Sequence, residues 1–130
     1  MYINPEEWLD AFPGEVLEGI KAETMTFQPQ SIPGVVSKPK YLGDKCQGIH
    51  FTITDRDKLK PVKLAVAVLC VSQKLYPEQF KINTYMDKLW GNENLRAMVM
   101  EGKDYKSILK TCEPGLELFK KVRNKYLRYD

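Results

Sequence analysis

Two prolines, Pro61 and Pro77, enclose the most apolar stretch of this 130-residue chain, and this stretch constrains the fold more than any other feature. Proline is tolerated in the first turn of a helix and prevents a helix from continuing, so the pair predicts a helix from Pro61 to about Tyr76. Its β-branched residues also permit a strand, but a length of roughly 16 residues favours a helix. Because the segment is apolar nearly all round, we expect it to pack on both sides and to form the centre of the core.

The clearest strand signal lies between Gly48 and Asp55, where apolar and polar residues alternate. Side chains of a strand point alternately to its two faces. One face therefore carries Ile49, Phe51 and Ile53, and the other carries His50, Thr52 and Thr54. A second strand is predicted at 22–27 and a short edge strand at 80–85. Between the first two, residues 28–45 hold three prolines and two glycines, a composition typical of long loops that carry binding residues.

Helix signals occupy both ends of the chain. Asn4 and Pro5 are typical of a cap and a first helical position, and the short helix must end before Pro13. A capped helix is predicted at 92–101 and a further turn from Asp104, and the last helix is predicted to follow Pro114. That helix should turn a set of apolar side chains inward: Leu118, Phe119, Val122 and Tyr126.

The predicted fold is α+β in a single domain. It consists of a small mixed or antiparallel sheet of about three strands, packed by a central helix and a C-terminal helical run. The longest apolar run, Leu64 to Val71, is far shorter than the roughly 18 residues of a membrane-spanning helix, so no membrane span is predicted. The net charge of +3 is small and not concentrated as in a nucleic-acid groove, so no nucleic-acid partner is predicted.

The cysteines and the N-terminus give two further expectations. Cys46, Cys70 and Cys112 are odd in number, and their spacing fits neither a zinc site nor a disulfide framework, so we expect free thiols. No metal and no cofactor is predicted. The N-terminus lacks the basic segment and apolar core of a secretory signal, so any export address is expected on a longer parent chain.

Candidates for acid–base chemistry are few. Hydrolysis of a glycosidic bond usually needs two carboxyl groups set across the sugar, roughly 5 to 9.5 Å apart. The adjacent Glu6 and Glu7 are better explained by the dipole of the first helix, and Asp55 and Asp57 by a turn and a helix cap. His50, the only histidine, lacks a recognisable nucleophile motif around it. The residues therefore favour a chain that is not catalytic alone.

Aromatic side chains offer another route to a sugar, because pyranose rings lie on Trp and Tyr faces. The possible platforms are Tyr41, Trp8, Trp90 and Tyr85. Tyr41 is the best placed because it falls in the long loop. Trp90, at a helix junction, is equally explained as a core residue.

A series of short motifs resembles the C-terminal domain of the NamZ-like family of exo-acting β-N-acetylmuramidases. Order and spacing match along the whole chain. The motifs are Phe27-Gln28-Pro29 with Tyr41; Cys46-Gln47-Gly48-Ile49 running into Thr54-Asp55-Arg56; Leu75-Tyr76-Pro77 with Phe80; Asp87-Lys88-Leu89-Trp90-Gly91; and Phe119 with Arg123-Asn124-Lys125-Tyr126-Leu127-Arg128-Tyr129.

The resemblance implies an accessory part of a two-domain glycosidase that removes N-acetylmuramic acid from the non-reducing ends of peptidoglycan fragments. In that family the catalytic carboxylate belongs to a Rossmann-like N-terminal domain, which nothing in these residues matches. The implied partners are that N-terminal catalytic domain of the same parent chain and muramic acid saccharides. The resemblance also implies an extracytoplasmic location in bacteria, and an isolated chain without activity.

Six matching positions are expected near the domain junction or the substrate cleft: Tyr41, Cys46, Gly48, Asp55, Arg56 and Asp87. Gly48 would allow close approach of the backbone, Tyr41 would stack on a sugar, and Arg56 would bind a carboxylate such as the lactyl group of muramic acid. Arg56 is equally explained as a structural partner of Asp55 or Asp87. The chain departs from the family in lacking a tryptophan near 109–112 and in extra proline and valine within 31–40, which puts the substrate in doubt.

Two other classes of function stay open. The chain is alternatively a free-standing peptidoglycan- or carbohydrate-binding module, which would bind cell wall by itself. It is also alternatively a structural interaction domain that dimerises through an exposed surface.

Overall fold

A computed structural model describes residues 3–128, and the chain divides into two compact units, Met1–Leu64 and Ala65–Asp130. The fold class is α+β, as predicted, with helices beside a small antiparallel sheet. The first unit contains a short helix α1 (Pro5–Asp10), a 3-10 turn (Gly14–Val16) and the strands β1 (Ile20–Phe27) and β2 (Cys46–Ile53). That both units act as one accessory domain stays a prediction.

The start of α1 follows the sequence signal. The side chain of Asn4 accepts hydrogen bonds from the backbone N–H groups of Glu6 and Glu7, at 3.1 and 3.4 Å, and Pro5 occupies the first turn. These bonds satisfy two donors that a helix N-terminus leaves without partners. Glu6 and Glu7 lie in this first turn, where the helix dipole favours negative charge.

Strands β1 and β2 form an antiparallel hairpin that is covered on one face. Ile20 pairs with Ile53 at one end and Phe27 with Cys46 at the loop end. The predicted apolar face of β2 packs toward α1: the ring of Phe51 meets the ring of Phe12 edge-on, with centroids 6.2 Å apart. Phe12 is buried and also contacts Trp8, so Trp8 belongs to this small core. The opposite face of the hairpin stays open.

Gly19 forms the corner that fixes where the hairpin begins. Its carbonyl accepts hydrogen bonds from the N–H groups of both Thr54 and Asp55, at 2.9 and 3.1 Å. Its φ of +79° lies in the left-handed region, and a Cβ there would collide with the Asp55 carbonyl and lie 2.7 Å from the Leu59 nitrogen. Only glycine fits this corner without displacing backbone.

The second unit is helical. It contains most of α2 (Pro61–Leu75), then α3 (Tyr85–Trp90), α4 (Asn94–Met100) and α5 (Tyr105–Asn124). The predicted helix between the two prolines is confirmed, and so is the end of the fourth helix at Gly102, which adopts φ +76°. The buried residues of this unit are Val66, Ala67, Val71, Leu95, Val99, Tyr105 and Ile108.

The sheet has two strands where about three were predicted, because residues 80–85 form no strand. The backbone groups of this segment are used by the flanking helices. The N–H of Phe80 bonds the Tyr76 carbonyl at 2.8 Å, and the Asn83 side chain accepts from the N–H of Tyr85 at 3.0 Å, capping α3. A segment engaged at both ends cannot offer a ladder of bonds to a neighbouring strand.

Two predictions for the C-terminal region are wrong. The turn from Asp104 and the helix after Pro114 are a single helix, α5, because Asp104 caps it at the N–H groups of Lys106 and Ser107 and the helix continues through Pro114. The predicted inward face is not inward: Leu118, Phe119, Val122 and Tyr126 are all exposed. Burial on α5 is confined to Tyr105 and Ile108, so the second half of the helix extends beyond the core that holds its start.

Replacing Gly19 by alanine is expected to destabilise the chain by about 2 kcal/mol or more, since the new Cβ adds a backbone collision to a left-handed φ. Urea unfolding measures the change. The matched control is Gly14→Ala, because a Cβ at Gly14 meets nothing within 4 Å and its φ is not in the left-handed region. Equal stability of the two variants would contradict the role of Gly19.

Candidate functional site

The open side of the hairpin is the first candidate surface. We call it the hairpin face and define it by alternate residues of the two strands, which share one side of the sheet. Its loop end is apolar and its other end is polar. From the loop end, the cross-strand pairs are Phe27 with Cys46, Met25 with Gly48, Glu23 with His50, and Lys21 with Thr52.

At the loop end, Gly48 makes room for an aromatic ring. A Cβ built on Gly48 would lie 3.5 Å from the ring of Phe27, so this ring lies over the glycine backbone. Phe27 is 44% exposed and Met25 is also exposed, which leaves apolar surface toward solvent. Cys46 is partly buried beside them, and its thiol lies 3.7 Å from the Asp44 carbonyl. The close approach expected at Gly48 is therefore made by Phe27.

The long loop at this end is ordered by its own hydrogen bonds. Ile32 and Val36 form an isolated antiparallel bridge, and the N–H of Gly43 bonds the Pro29 carbonyl at 3.0 Å. Tyr41 lies in a turn closed by the bond from Asp44 N–H to its carbonyl, at 3.0 Å. The loop is thus an ordered rim of the hairpin.

Tyr41 combines exposure with a strained backbone. It is 57% exposed and is the one non-glycine residue with positive φ, +60°, among residues 3–128. A left-handed conformation costs a non-glycine residue roughly 1 to 2 kcal/mol. Such strain persists where the surrounding structure imposes it and is frequent at ligand sites. The Lys40 ammonium lies 5.0 Å from the centre of the Tyr41 ring, which places a cation beside an exposed aromatic face.

Two other predicted site residues, Asp55 and Arg56, do not lie with Cys46 and Gly48. They follow the far end of β2, whose eight residues span about 23 Å at roughly 3.3 Å per step. The Asp55 side chain accepts from the N–H groups of Asp57 and Lys58, at 3.0 and 3.2 Å, and lies 3.5 Å from the Lys58 ammonium. This is the predicted turn role, and the predicted helix cap is not formed by these bonds, because α2 begins only at Pro61. Arg56 is exposed, and within residues 3–128 it forms no ion pair.

Asp87 lies in the second unit and forms a bidentate ion pair. Its carboxylate accepts hydrogen bonds from Arg96 at 2.8 Å from Nε and 2.8 Å from Nη2. These bonds hold the pKa of Asp87 below its ordinary value, and the nearby positive charge of Arg96 contributes further. This ion pair joins α3 to α4. The structural partner of Asp87 is therefore Arg96, which sequence reasoning missed, and not Arg56.

A recess in the second unit is the next candidate. It has a volume of about 440 Å³ and is lined by residues of α4 and α5 and of the junction before α4, among them Trp90, Asn92, Met98, Thr111, Cys112 and Gly115. Trp90 is partly buried at its edge, while Tyr85, another predicted platform, is exposed. A smaller recess of about 360 Å³ lies in the first unit beside Asn4, Pro5 and Gln47.

Ionisable groups elsewhere are engaged in structure. Hydrogen bonds from Ser107 hold the pKa of Asp104 below its ordinary value. The three cysteines are free, as predicted, and burial, with the charge of Asp104, raises the pKa of the Cys70 thiol to about 11. Within residues 3–128, no three His, Cys, Asp or Glu side chains converge to hold a metal. In the same range no helix is long and apolar enough to cross a bilayer.

Fold and surface together define an α+β chain with an aromatic, partly polar hairpin face, in which Asp55, Asp87 and Asp104 are bound into a turn, an ion pair and a helix cap. The model of the family described as exo-β-N-acetylmuramidase NamZ, C-terminal, matches residues 1–129. The chain belongs to this family.

One curated relative shows the same similarity. The peptidoglycan β-N-acetylmuramidase NamZ of Bacillus subtilis (strain 168) is 34% identical over 117 residues, which are 88% of this chain and 28% of the relative. The chain therefore spans less than a third of the length of this relative. No solved structure matches significantly.

The pair of Asp87 and Arg96 predicts a pH dependence. A carboxyl group whose folded pKa is lowered stabilises the fold above its ordinary pKa of about 3.9, and this stabilisation disappears as pH falls through the folded value. Replacing Arg96 by glutamine should therefore raise the pKa of Asp87 and reduce stability at pH 7 more than at pH 2. Carbon-13 NMR titration of the Asp87 carboxyl measures the first effect.

The control for this titration is Glu93→Gln. The Glu93 carboxylate lies 3.9 Å from Arg96 and is largely exposed, so its removal should leave the Asp87 titration nearly unchanged. An Asp87 pKa that does not respond to Arg96→Gln would show that the ion pair is not formed.

Proposed function

We propose that this chain forms one wall of the substrate cleft of an exo-β-N-acetylmuramidase and that the reacting groups lie in a second domain. Its family membership and its relative, which acts on peptidoglycan, support the substrate class. The share of the relative that it matches, 28%, supports the accessory role, because most of that enzyme has no counterpart in these residues. The chain is not catalytic alone.

The observation that carries the proposal is the loop end of the hairpin face. Phe27 and Tyr41 present exposed rings of the kind on which pyranose faces pack. Lys40 supplies a cation beside Tyr41 for the lactyl carboxylate of a muramic acid residue, as a point charge on a flexible stem. At the same position the backbone of Tyr41 has a positive φ, a strained conformation that is frequent at ligand sites. The role of Arg56 toward that carboxylate stays a prediction.

The state of the carboxyl groups also supports an accessory role. A general acid for glycoside cleavage needs a pKa raised by an apolar or like-charged environment. Within residues 3–128, the pKa values of two carboxyl groups, Asp87 and Asp104, are displaced, and hydrogen bonds displace both of them downward. Asp55, a further candidate, accepts two backbone hydrogen bonds in its turn. All three carboxyl groups are engaged in the fold, and the lowered pKa values of Asp87 and Asp104 favour their charged form.

Activity of separate and combined parts tests the proposal. The chain alone should not hydrolyse a chromogenic β-N-acetylmuramide, whereas adding it to the portion of the Bacillus subtilis relative outside the matched region should increase turnover by that portion. Turnover by the pure chain would refute the proposal. Retention of the chain alone on insoluble cell wall, with no effect on turnover, would favour a free-standing binding module instead.

Tyr41→Ala should raise the KM of the combined parts by about tenfold with little change in kcat, since it removes a platform that binds substrate and transition state alike. Val35→Ala is the matched control, because it truncates another exposed side chain of the same loop, at 78%, that no site includes. Equal effects of the two substitutions would argue against a specific role for Tyr41.

A further inference from the structure

One face of α5 continues from the core of the second unit into solvent. Residues three and four apart on a helix share one face, and Ile108, Cys112, Gly115, Phe119 and Val122 follow this spacing. Ile108 is fully buried, whereas Phe119 is 58% and Val122 45% exposed. We call the exposed part, together with Tyr126 just after the helix end, the α5 face.

The α5 face is continuous with the recess of the second unit. Cys112 and Gly115 line that recess, with Met98 and Trp90 on its other sides, and Phe119 follows on the same face of the helix. A contiguous apolar surface with an adjoining hollow of about 440 Å³ has the form of a docking site, in which a partner side chain fills the hollow. Tyr126, 77% exposed, extends the surface at its far end.

The positive charge around the α5 face indicates the kind of partner that this face binds. Residues 116–128 contain five basic side chains and one acidic one, a net charge of +4, which exceeds the +3 of the whole chain. Each helical residue turns by about 100°, so Lys120 and Arg123 lie on one flank of the α5 face and Lys125 lies on the other. A second copy of this face would bring these cations together, whereas an apolar groove with an acidic rim would complement them.

The length of the Bacillus subtilis relative indicates which partner covers the α5 face. Its matched region is 28% of its length, so a region more than twice as large lies outside the match. We propose that the α5 face is the surface by which this chain docks onto a domain equivalent to that region, in an apolar groove rimmed by acidic side chains. This inference rests on the proposed function and names the contact that holds the two halves of the cleft together.

Sedimentation velocity and titration calorimetry test the docking. The probe is the portion of the Bacillus subtilis relative outside the matched region. It is first shown to fold alone by a cooperative urea transition and is then mixed with the purified chain. Phe119→Glu places a carboxylate in the centre of the α5 face and should weaken binding at least about tenfold, as expected for a central anchor residue. Both partners are also tested at raised salt, which should weaken binding because the flanking cations are exposed.

Asn124→Glu is the matched control. It introduces the same charge five positions further on, about 140° around the helix from Phe119. It should leave the affinity within about twofold, since energetically important contacts cluster at the centre of an interface. Because both sites are exposed, circular dichroism should show the wild-type helix content in each variant.

Four outcomes decide the proposal. A 1:1 complex that Phe119→Glu weakens and Asn124→Glu preserves supports it. Equal binding by both variants overturns it, as does the absence of a complex at about 100 μM, above the dissociation constants of specific interfaces. Self-association that Phe119→Glu abolishes, without a complex, also overturns it and assigns the face to a second copy.

The same mixtures separate this inference from the proposed function. A complex that forms through the α5 face but does not change turnover refutes the proposed function and leaves the docking intact. Turnover that rises equally with wild type and with Phe119→Glu refutes the docking and leaves the accessory role intact.

Discussion

The contact between the rings of Phe12 and Phe51 determines which face of the hairpin is covered in the first unit. A two-stranded hairpin is marginally stable alone in water and needs packing on one face. Here that packing comes from the segment after α1, through an edge-on contact between the two rings. Because only one face is used, the other keeps Phe27 and Met25 at the loop end open to solvent, and Tyr41 is exposed in the adjoining loop. The candidate surface is thus a direct consequence of one-sided packing.

A corresponding asymmetry occurs in the second unit. The start of α5 is fixed by the Asp104 cap and by burial of Tyr105 and Ile108, while its second half carries large apolar side chains into solvent. Exposed apolar patches of this kind usually mark interaction sites. Both units therefore have an apolar surface that their own cores leave uncovered. This fits a family whose name describes a C-terminal part and a relative more than three times as long.

Local signals in the sequence were sufficient for most helices and for the two strands of the hairpin, although not for their pairing. Proline and asparagine at the start of α1, the two prolines around α2 and the alternation in β2 each depend on interactions within a few residues. The same reasoning failed at residues 80–85, where Phe80 bonds back to the turn after α2 and Asn83 bonds the first residue of α3. It also failed at Pro114, where α5 continues although proline cannot donate a backbone hydrogen bond.

The site was only partly predictable, because register and partner choice are tertiary properties. Sequence reasoning grouped Tyr41, Cys46 and Gly48 with three other residues near a cleft or domain junction. It missed Phe27 as a site residue, which the register brings beside Cys46 and Gly48. The strand length separates Asp55 and Arg56 from that group. The helical periodicity of the sequence correctly identified the apolar stripe of the last helix. It could not show whether this chain or another covers that stripe, because an amphipathic pattern does not identify the partner of its apolar face.

Hydrogen exchange of the chain, free and mixed with the remainder of the Bacillus subtilis relative, measures the central claim most directly, since both open surfaces are read at once. The account predicts new protection of backbone N–H groups at 28–48 and 112–126, with residues 61–75 unchanged. Protection that is absent from both segments, or confined to the covered side of the hairpin, would contradict it.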